Sequence, residues 1–160
     1  LLAADRVDMV IGGCGTGQGY LNSVMQYAGV SCGHLLTPLD AFLFARINSG
    51  NVVSLALNQG WGWAGEVNLS MLFDQLFTDE QGGGFPAHRA APQAASRDNL
   101  KVVAEATHRS MAEVLVRLPD DIVVPALTHP AAAAALDVDG ISDTVLRTAL
   151  QARRLKESLT

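Results

Sequence analysis

Cysteine is scarce: the 160 residues hold two, Cys14 and Cys32. That excludes a small secreted scaffold stapled by disulfides. Charge is sparse too, at 17% of residues, and its balance is acidic: 11 Lys+Arg against 16 Asp+Glu, a formal net charge of -5. A nucleic-acid grip needs a basic face, so no nucleic-acid partner is expected. Long apolar runs are missing. Glycine or a charged residue interrupts each of them well before the ~18 residues that a membrane span requires. The opening Leu1-Leu2-Ala3-Ala4-Asp5-Arg6 lacks the apolar segment of a secretory signal. The four histidines and two cysteines show no metal-ligand spacing. Neither a metal nor a cofactor is expected, and the chemistry points to the cytoplasm.

Apolar residues are abundant, at 49%, and the length suits one domain or one domain with an appendage. Fourteen of the 15 glycines fall in residues 1–84, whereas residues 95–160 read as helices with two interruptions. In the first part, Val7–Gly12, Gly29–Leu36 and Asn51–Leu57 are short apolar runs suited to buried parallel strands. Helix-length stretches separate them: Tyr20–Tyr27, Pro38–Arg46 with Thr37 as N-cap and Pro38 at the first helical position, and Trp61–Phe77. Alternation at this spacing predicts βαβ units. Residues 78–86 form a turn-rich connection. A helix is expected from Asp98 or Asn99 to Leu118, with Val103, Ala106, Met111, Val114, Leu115 and Leu118 on its apolar face and Pro119 stopping it. Asp121–Val124 is predicted as a short strand or extended link, Ala131–Leu136 as a helix, and Ser142 as the cap of a last helix. The cations Arg153, Arg154 and Lys156 lie near that helix's end, where they suit its dipole.

The most informative segment is Gly12-Gly13-Cys14-Gly15-Thr16-Gly17-Gln18-Gly19, which follows a predicted strand and opens a predicted helix. Glycines let backbone N–H groups approach an anion, and a helix start adds positive potential. An anion or a developing oxyanion is the expected guest. The Walker pattern fails for want of a lysine, and the dinucleotide GxGxxG fails because the required glycine would be Gln18 or Tyr20. Cys14 sits where those N–H groups would lower a thiol's pKa. It reads as a nucleophile, as a base beside a carbonyl, or as a small residue in a tight turn.

The run Val7-Asp8-x-x-Ile11-x-x-Cys14-Gly15-Thr16-Gly17-x-Gly19, then Ala28-Gly29-Val30, Pro38-x-x-Ala41, Arg46-Ile47-Asn48-x-x-Asn51-Val52 and the later glycines, resembles the type B ribose-5-phosphate isomerases, which share a family with galactose-6-phosphate isomerase. The resemblance covers about Val7 to Arg89. It implies an α/β fold, a Rossmann-like three-layer parallel sheet flanked by helices with a C-terminal helical extension. Residues 1–94 would be the isomerase core, with its N-terminal strand absent upstream, and 95–160 the extension. It implies aldose–ketose isomerisation of a sugar phosphate or related sugar through an enediolate, by a homodimer or dimer of dimers without a cofactor. Carried over by position, Cys14 is the base and Thr16 assists it. Gly15, Gly17, Gln18 and Gly19 bind the enediolate, Asn48 hydrogen-bonds the substrate, and Arg89 holds the phosphate.

The chain departs from that pattern at several places, Pro86 and Val24-Met25-Gln26 among them. Ile47 stands at the family's ring-opening histidine, Phe85 at the first of its two phosphate arginines, and Tyr20 where some members carry a glutamate base. Those departures keep open a non-catalytic carbohydrate- or anion-binding homodimer. His34 and His88 are the histidines left to replace the lost acid. Trp61 and Trp63 are candidates for stacking on a sugar or for packing, and Cys32 reads as an inert strand residue.

Overall fold

The computed structural model describes residues 1–78 and 80–157. Asp79 of the expected connection, the Lys156 side chain and residues 158–160 of the expected extension lie outside the described residues. The chain divides into two compact units, Met9–Thr107 and a second made of Leu1–Asp8 with His108–Thr160. The expected boundary at 94/95 falls inside the helix Ala90–Thr107, which belongs to the first unit.

The first unit is built on three parallel strands, β1 (Val10–Cys14), β2 (Cys32–Leu35) and β3 (Val52–Ala56). Their order is β1-β3-β2, which puts β3 at the centre. β3 is buried from Val52 to Leu55, as a strand covered on both faces must be. Side chains alternate across it. Val53 and Leu55 point to one face and pack with Leu72 and Leu76, one helical turn apart on α3 (Gly65–Leu76), and with Ala41 of α2 (Pro38–Leu43). Ser54 points to the other face, in register with Gly12 and His34, beneath α1 (Gln18–Val24). This is the three-layer arrangement expected from the sequence.

Thr37 caps α2 as predicted. Its hydroxyl accepts from the Asp40 N–H at 3.3 Å, and the Asp40 carboxylate accepts from the Thr37 N–H at 2.8 Å, a reciprocal capping box with Pro38 in the first turn. The expected helix to Arg46 widens after Leu43 into a π-helical turn, Phe44–Asn48. The Ser49 N–H closes it on the Phe44 carbonyl at 2.8 Å, with Ser49 in the left-handed region.

The expected helix Trp61–Phe77 begins only at Gly65. Gly60, Gly62 and Ala64 adopt positive φ, which a right-handed helix cannot contain. The expected helix from Asp98 or Asn99 to Leu118 is two helices, α4 (Ala90–Thr107) and α5 (Met111–Arg117). Ser110 and Glu113 form a capping box that starts α5 afresh. Val103, assigned to a buried face, is 56% exposed on α4.

In the second unit, Asp121–Val124 is not a strand. It lies in α6 (Asp120–Thr128), where Pro119 sets the entry and two aspartates occupy the first turn. α7 (Pro130–Leu136) and α8 (Thr144–Glu157) follow. Asp143, not Ser142, caps α8, accepting from the N–H groups of Val145 and Leu146 at 2.9 and 3.0 Å. Leu115, Val123, Leu136, Ile141, Leu146 and Leu150 form the core, with Ala4 of the opening segment packed among them. Arg153 is 7% exposed rather than a cation at a solvated helix end. Its guanidinium donates to the carbonyls of Leu115, Val116 and Leu118 and pairs with Asp120, so it closes the end of α5.

Candidate functional site

Cys14 is the last residue of β1, opposite Ala56 of β3. The chain then turns sharply: the Cys14 carbonyl accepts from the Gly17 N–H at 3.1 Å and from the Leu57 N–H at 2.9 Å. Gly17 has φ 77°, and a Cβ there would collide with Nε2 of His34, so glycine is required on both conformational and steric grounds. The turn folds its amides back over the half-buried sulfur. The Tyr20 N–H holds the thiol below its ordinary pKa; partial burial opposes that, and the N–H groups of Thr16, Gly19 and Gly17 add to the lowering. Gly19 is close enough that a Cβ on it would sit 3.6 Å from Sγ. A thiol ringed by amide donors gives up its proton more readily than a free one, and the thiolate can then accept a proton. Cys32 contrasts with it, since burial pushes that thiol up to about 11.

Thr16 and Gln18 are exposed on the same turn, the Gln18 N–H 3.4 Å from Oγ1 of Thr16. Tyr20, which stands where some members carry a glutamate base, contributes its backbone N–H, and its ring lies against Gly12. Ser54 escaped notice, although it is the one polar residue within Val52–Ala56; it is fully buried, and its hydroxyl donates to the Gly17 carbonyl at 2.6 Å. His34 sits beneath the turn. Nδ1 lies 3.4 Å from Nε2 of Gln18, and its own Nε2 is buried with no hydrogen-bond partner among the described residues. A nitrogen enclosed there cannot deliver a proton to a sugar ring.

The remaining candidates lie elsewhere in the unit. The strands run in parallel from Val10, Cys32 and Val52 towards Cys14, Leu35 and Ala56. Cys14 is therefore at the carboxyl edge. Asn48, exposed at the end of the π-helical turn, precedes β3 at the amino edge. Five residues of strand separate the edges by roughly 13 Å at 3.3 Å per step. Asn51, its partner in the resemblance, is occupied structurally. Its Oδ1 accepts from the Ser31 N–H at 2.9 Å, and its Nδ2 donates to the Gly29 carbonyl at 2.7 Å.

Arg89 is exposed at the end of a 3₁₀ turn, Ala87–Arg89. The preceding glycines are tied to the same π-helical segment, Gly82 N–H to the Ala45 carbonyl and Gly84 N–H to the Arg46 carbonyl, both at 2.8 Å. Arg97 adds a bond to the carbonyl of Ile47 at 2.7 Å. Phe85 is an apolar clasp, edge-on to Phe42 at 5.1 Å, with the Arg46 guanidinium over the Phe42 ring. The segment that leads to Arg89 is thus tied to the π-helical turn that carries Asn48, whose edge of the sheet is opposite that of Cys14. His88 is exposed beside Arg89.

A cavity of about 50 Å³ opens at the carboxyl ends of β2 and β3, lined by Leu36, Leu55, Ala56, Gln59 and Asn68 among others. It has room for water, not for a sugar. Trp61 and Trp63, in the turn after β3, are 86% and 85% exposed, so neither packs in the core of this unit. In the helical unit an apolar groove of about 700 Å³ lies between α5 and α8, with Val116, Val145 and Ala149 in its walls; it is larger but holds no thiol or histidine. Among the described residues no three His, Cys, Asp or Glu side chains gather in a way that could hold a metal ion, and no helix is long and apolar enough to cross a membrane.

No family model and no curated protein matches the chain. Solved structures do. It is similar to a 4-deoxy-L-threo-5-hexosulose-uronate ketol-isomerase complexed with a tartrate: 32% identical, TM-score 0.89, over 96% of this chain and 72% of that one. It is also similar to the ribose-5-phosphate isomerase LacAB_rpiB from Vibrio parahaemolyticus, at 36% identity and TM-score 0.74, over 100% of this chain and 72% of that one. The type B ribose 5-phosphate isomerase of Leishmania infantum, 17% identical with TM-score 0.50 over 62% of this chain and 58% of that one, shares the fold. Identity of this level along nearly all of its length makes the chain a member of the sugar-isomerase family that the first two structures represent.

Proposed function

We propose that the chain is an aldose–ketose isomerase that works through an enediolate with Cys14 as the base. The observation that carries this reading is the sulfur's surroundings: backbone N–H groups of Tyr20, Thr16, Gly19 and Gly17 favour the thiolate. A base whose pKa lies near the working pH is the efficient one. The thiolate takes the proton from the hydroxyl-bearing carbon, the electron pair moves into the new C=C bond, and the carbonyl oxygen becomes the enediolate oxyanion. As the sulfur takes up the proton, the N–H groups that faced the thiolate become donors for that oxyanion, with the exposed Thr16 hydroxyl beside them. The hydroxyl proton of the enediolate passes to the oxyanion, a transfer that Thr16 can assist. As the second oxygen becomes the new carbonyl, the Cys14 thiol returns its proton to the neighbouring carbon, so the thiolate is regenerated and nothing is oxidised or reduced overall.

The substrate that suits this chain is an open-chain keto-uronate. The substrate of the ketol-isomerase relative is a 4-deoxy-5-ketone. It has no hydroxyl at C4 or C5 with which to close a furanose or pyranose on C1. Such a molecule needs no ring-opening acid, and Ile47 stands where the type B isomerases have one. It also carries a carboxylate rather than a phosphate, which fits Phe85 in place of a phosphate arginine.

Asn48 and Arg89 come to the site in this reading from a second copy of the chain, in a homodimer. The separation of the two strand edges within one chain supports that.

The test is proton exchange. Incubated in deuterated water with 4-deoxy-L-threo-5-hexosulose-uronate or ribose 5-phosphate, the protein washes deuterium into the reacting carbon, faster with the uronate. Cys14→Ala abolishes exchange while leaving the circular dichroism unchanged. Exchange that survives Cys14→Ala contradicts the base assignment. No exchange with either compound leaves the non-catalytic binding reading in its place.

A further inference from the structure

The amide cradle around Cys14 has to be held in place, and α1 cannot hold it alone. None of the residues of α1 is buried, and its N-terminus at Gly17 has no side-chain cap. From this we infer that Ser54 and His34, two polar side chains on neighbouring strands, form a platform that positions the Gly17–Gln18 turn over Cys14. This rests on the reading of Cys14 as the base, and it adds two positioning residues to that site.

The geometry is specific. Ser54 is 0% exposed in the middle of the central strand, in register with His34 on one side and Gly12 on the other. Its hydroxyl reaches the Gly17 carbonyl at 2.6 Å. An aliphatic residue would suit that face of a buried strand, and a buried hydroxyl is costly unless its bond is made. His34 meets the side chain of the next residue of the turn. Nδ1 lies 3.4 Å from Nε2 of the Gln18 side-chain amide. Nε2 of the ring is enclosed, without a partner among the described residues, directly under Gly17. The ring therefore acts as a wedge that admits only glycine above it. Held from below at one carbonyl and one side chain, the turn keeps its N–H groups aimed upward at Sγ.

The thiol pKa reads this positioning directly. The titratable groups around the platform are Tyr20 on α1, Cys32 on the same strand as His34, and Asp40 at the start of α2, which interacts electrostatically with His34. Removing the Ser54 hydroxyl changes none of their charges. Any movement of the Cys14 titration in Ser54→Ala comes from the geometry of the turn.

The experiment is the pH dependence of Cys14 alkylation by iodoacetamide in the full chain, followed at the Cys14 peptide by mass spectrometry in a Cys32→Ser background. The thiolate is the reacting species, so the rate follows its titration. Ser54→Ala and His34→Val each raise the midpoint, with reactivity at pH 7 falling about three- to tenfold, because an unanchored turn favours the thiolate less. His34→Gln, which keeps a polar group opposite Gln18, falls between His34→Val and the parent. Circular dichroism identifies any variant that fails to fold, and either substitution decides the matter by itself. A parent midpoint well below the ordinary thiol value that none of these variants moves overturns the platform and leaves the base assignment standing. A parent midpoint at the ordinary thiol value overturns the base assignment and the platform together. A midpoint that moves as stated, in a protein that isomerises neither compound, keeps the platform and removes the function.

Discussion

Cys14 and Cys32 carry the same side chain two strands apart, and the backbone makes them opposites. Amide donors lower one thiol's pKa; burial raises the other's to about 11. Iodoacetamide at pH 7 is therefore expected to label Cys14 and to leave Cys32 unmodified, as peptide mass spectrometry would report; equal labelling would contradict the contrast. The local pattern that makes Cys14 special was legible in the sequence, because glycines around a cysteine after an apolar run already imply exposed N–H groups. The role of Ser54 was not legible. One serine among Val52, Val53, Leu55 and Ala56 says only that a hydroxyl is buried, and its partner, the Gly17 carbonyl, is 37 residues away. Asn48 and Asn51 look alike in the sequence too, yet Asn51 has spent its amide on joining the entries of β2 and β3.

At the scale of elements, caps decide where helices begin. The Thr37 cap was legible because Thr37 and Pro38 announce it together, whereas the reciprocal bond from Asp40 emerges only in the structure. Desolvation would raise the Asp40 pKa, but N–H groups of Leu36 and Thr37, the Thr37 hydroxyl and the nearby His34 lower it overall. A carboxyl with a depressed folded pKa contributes stability above its unfolded pKa and loses it as the pH falls through the folded one. Asp40→Ala is thus expected to cost about 0.5–2 kcal/mol at neutral pH, with the difference from the parent shrinking below about pH 4 in thermal melts. The Ser110–Glu113 box was equally present in the sequence, but the apolar spacing through 103–118 masked it and joined two helices into one. A β-branched run misleads similarly: Ile122, Val123 and Val124 suit a strand locally, yet Pro119 and the paired aspartates start a helix whose Val123 fills the core.

Packing fixes the magnitudes for the same elements. Leu72 is fully buried against β3. Leu72→Ala is expected to cost about 2–5 kcal/mol in denaturant unfolding, with no change in the Cys14 alkylation profile at pH values where the protein stays folded. Arg153 ties the end of α5 through a planar fork that lysine cannot reproduce. Arg153→Lys should destabilise the helical unit by about 2–3 kcal/mol, since several buried carbonyls lose their donors. A loss below a few tenths would mean that water replaces the guanidinium without cost.

For the molecule as a whole, parallel strand direction decides which candidate residues share an edge of the sheet. A β3 that starts near Asn48 and ends near Cys14's partner Ala56 keeps those two residues at opposite edges. The direction of the strands was legible in the sequence, and the separation follows from it; the motif spacing alone obscured it, because residues of one site need not come from one chain. If two copies complete each site, inactive Cys14→Ala and Arg89→Ala proteins, mixed under conditions that exchange subunits, regain up to about a quarter of the parent activity. Half of the re-formed dimers are mixed, and each mixed dimer holds one intact site. No recovery in a mixture shown to contain mixed dimers would contradict a shared site.

The proton transfer itself admits a more direct comparison. The pH dependence of kcat/KM for the keto-uronate has an acid limb that reports the base in the free enzyme, and alkylation reports the Cys14 thiolate independently. The two midpoints should coincide, below the ordinary thiol value, and Cys14→Ser should lose both. An acid limb at a different midpoint, or one that persists in Cys14→Ser, would show that some other group takes the proton.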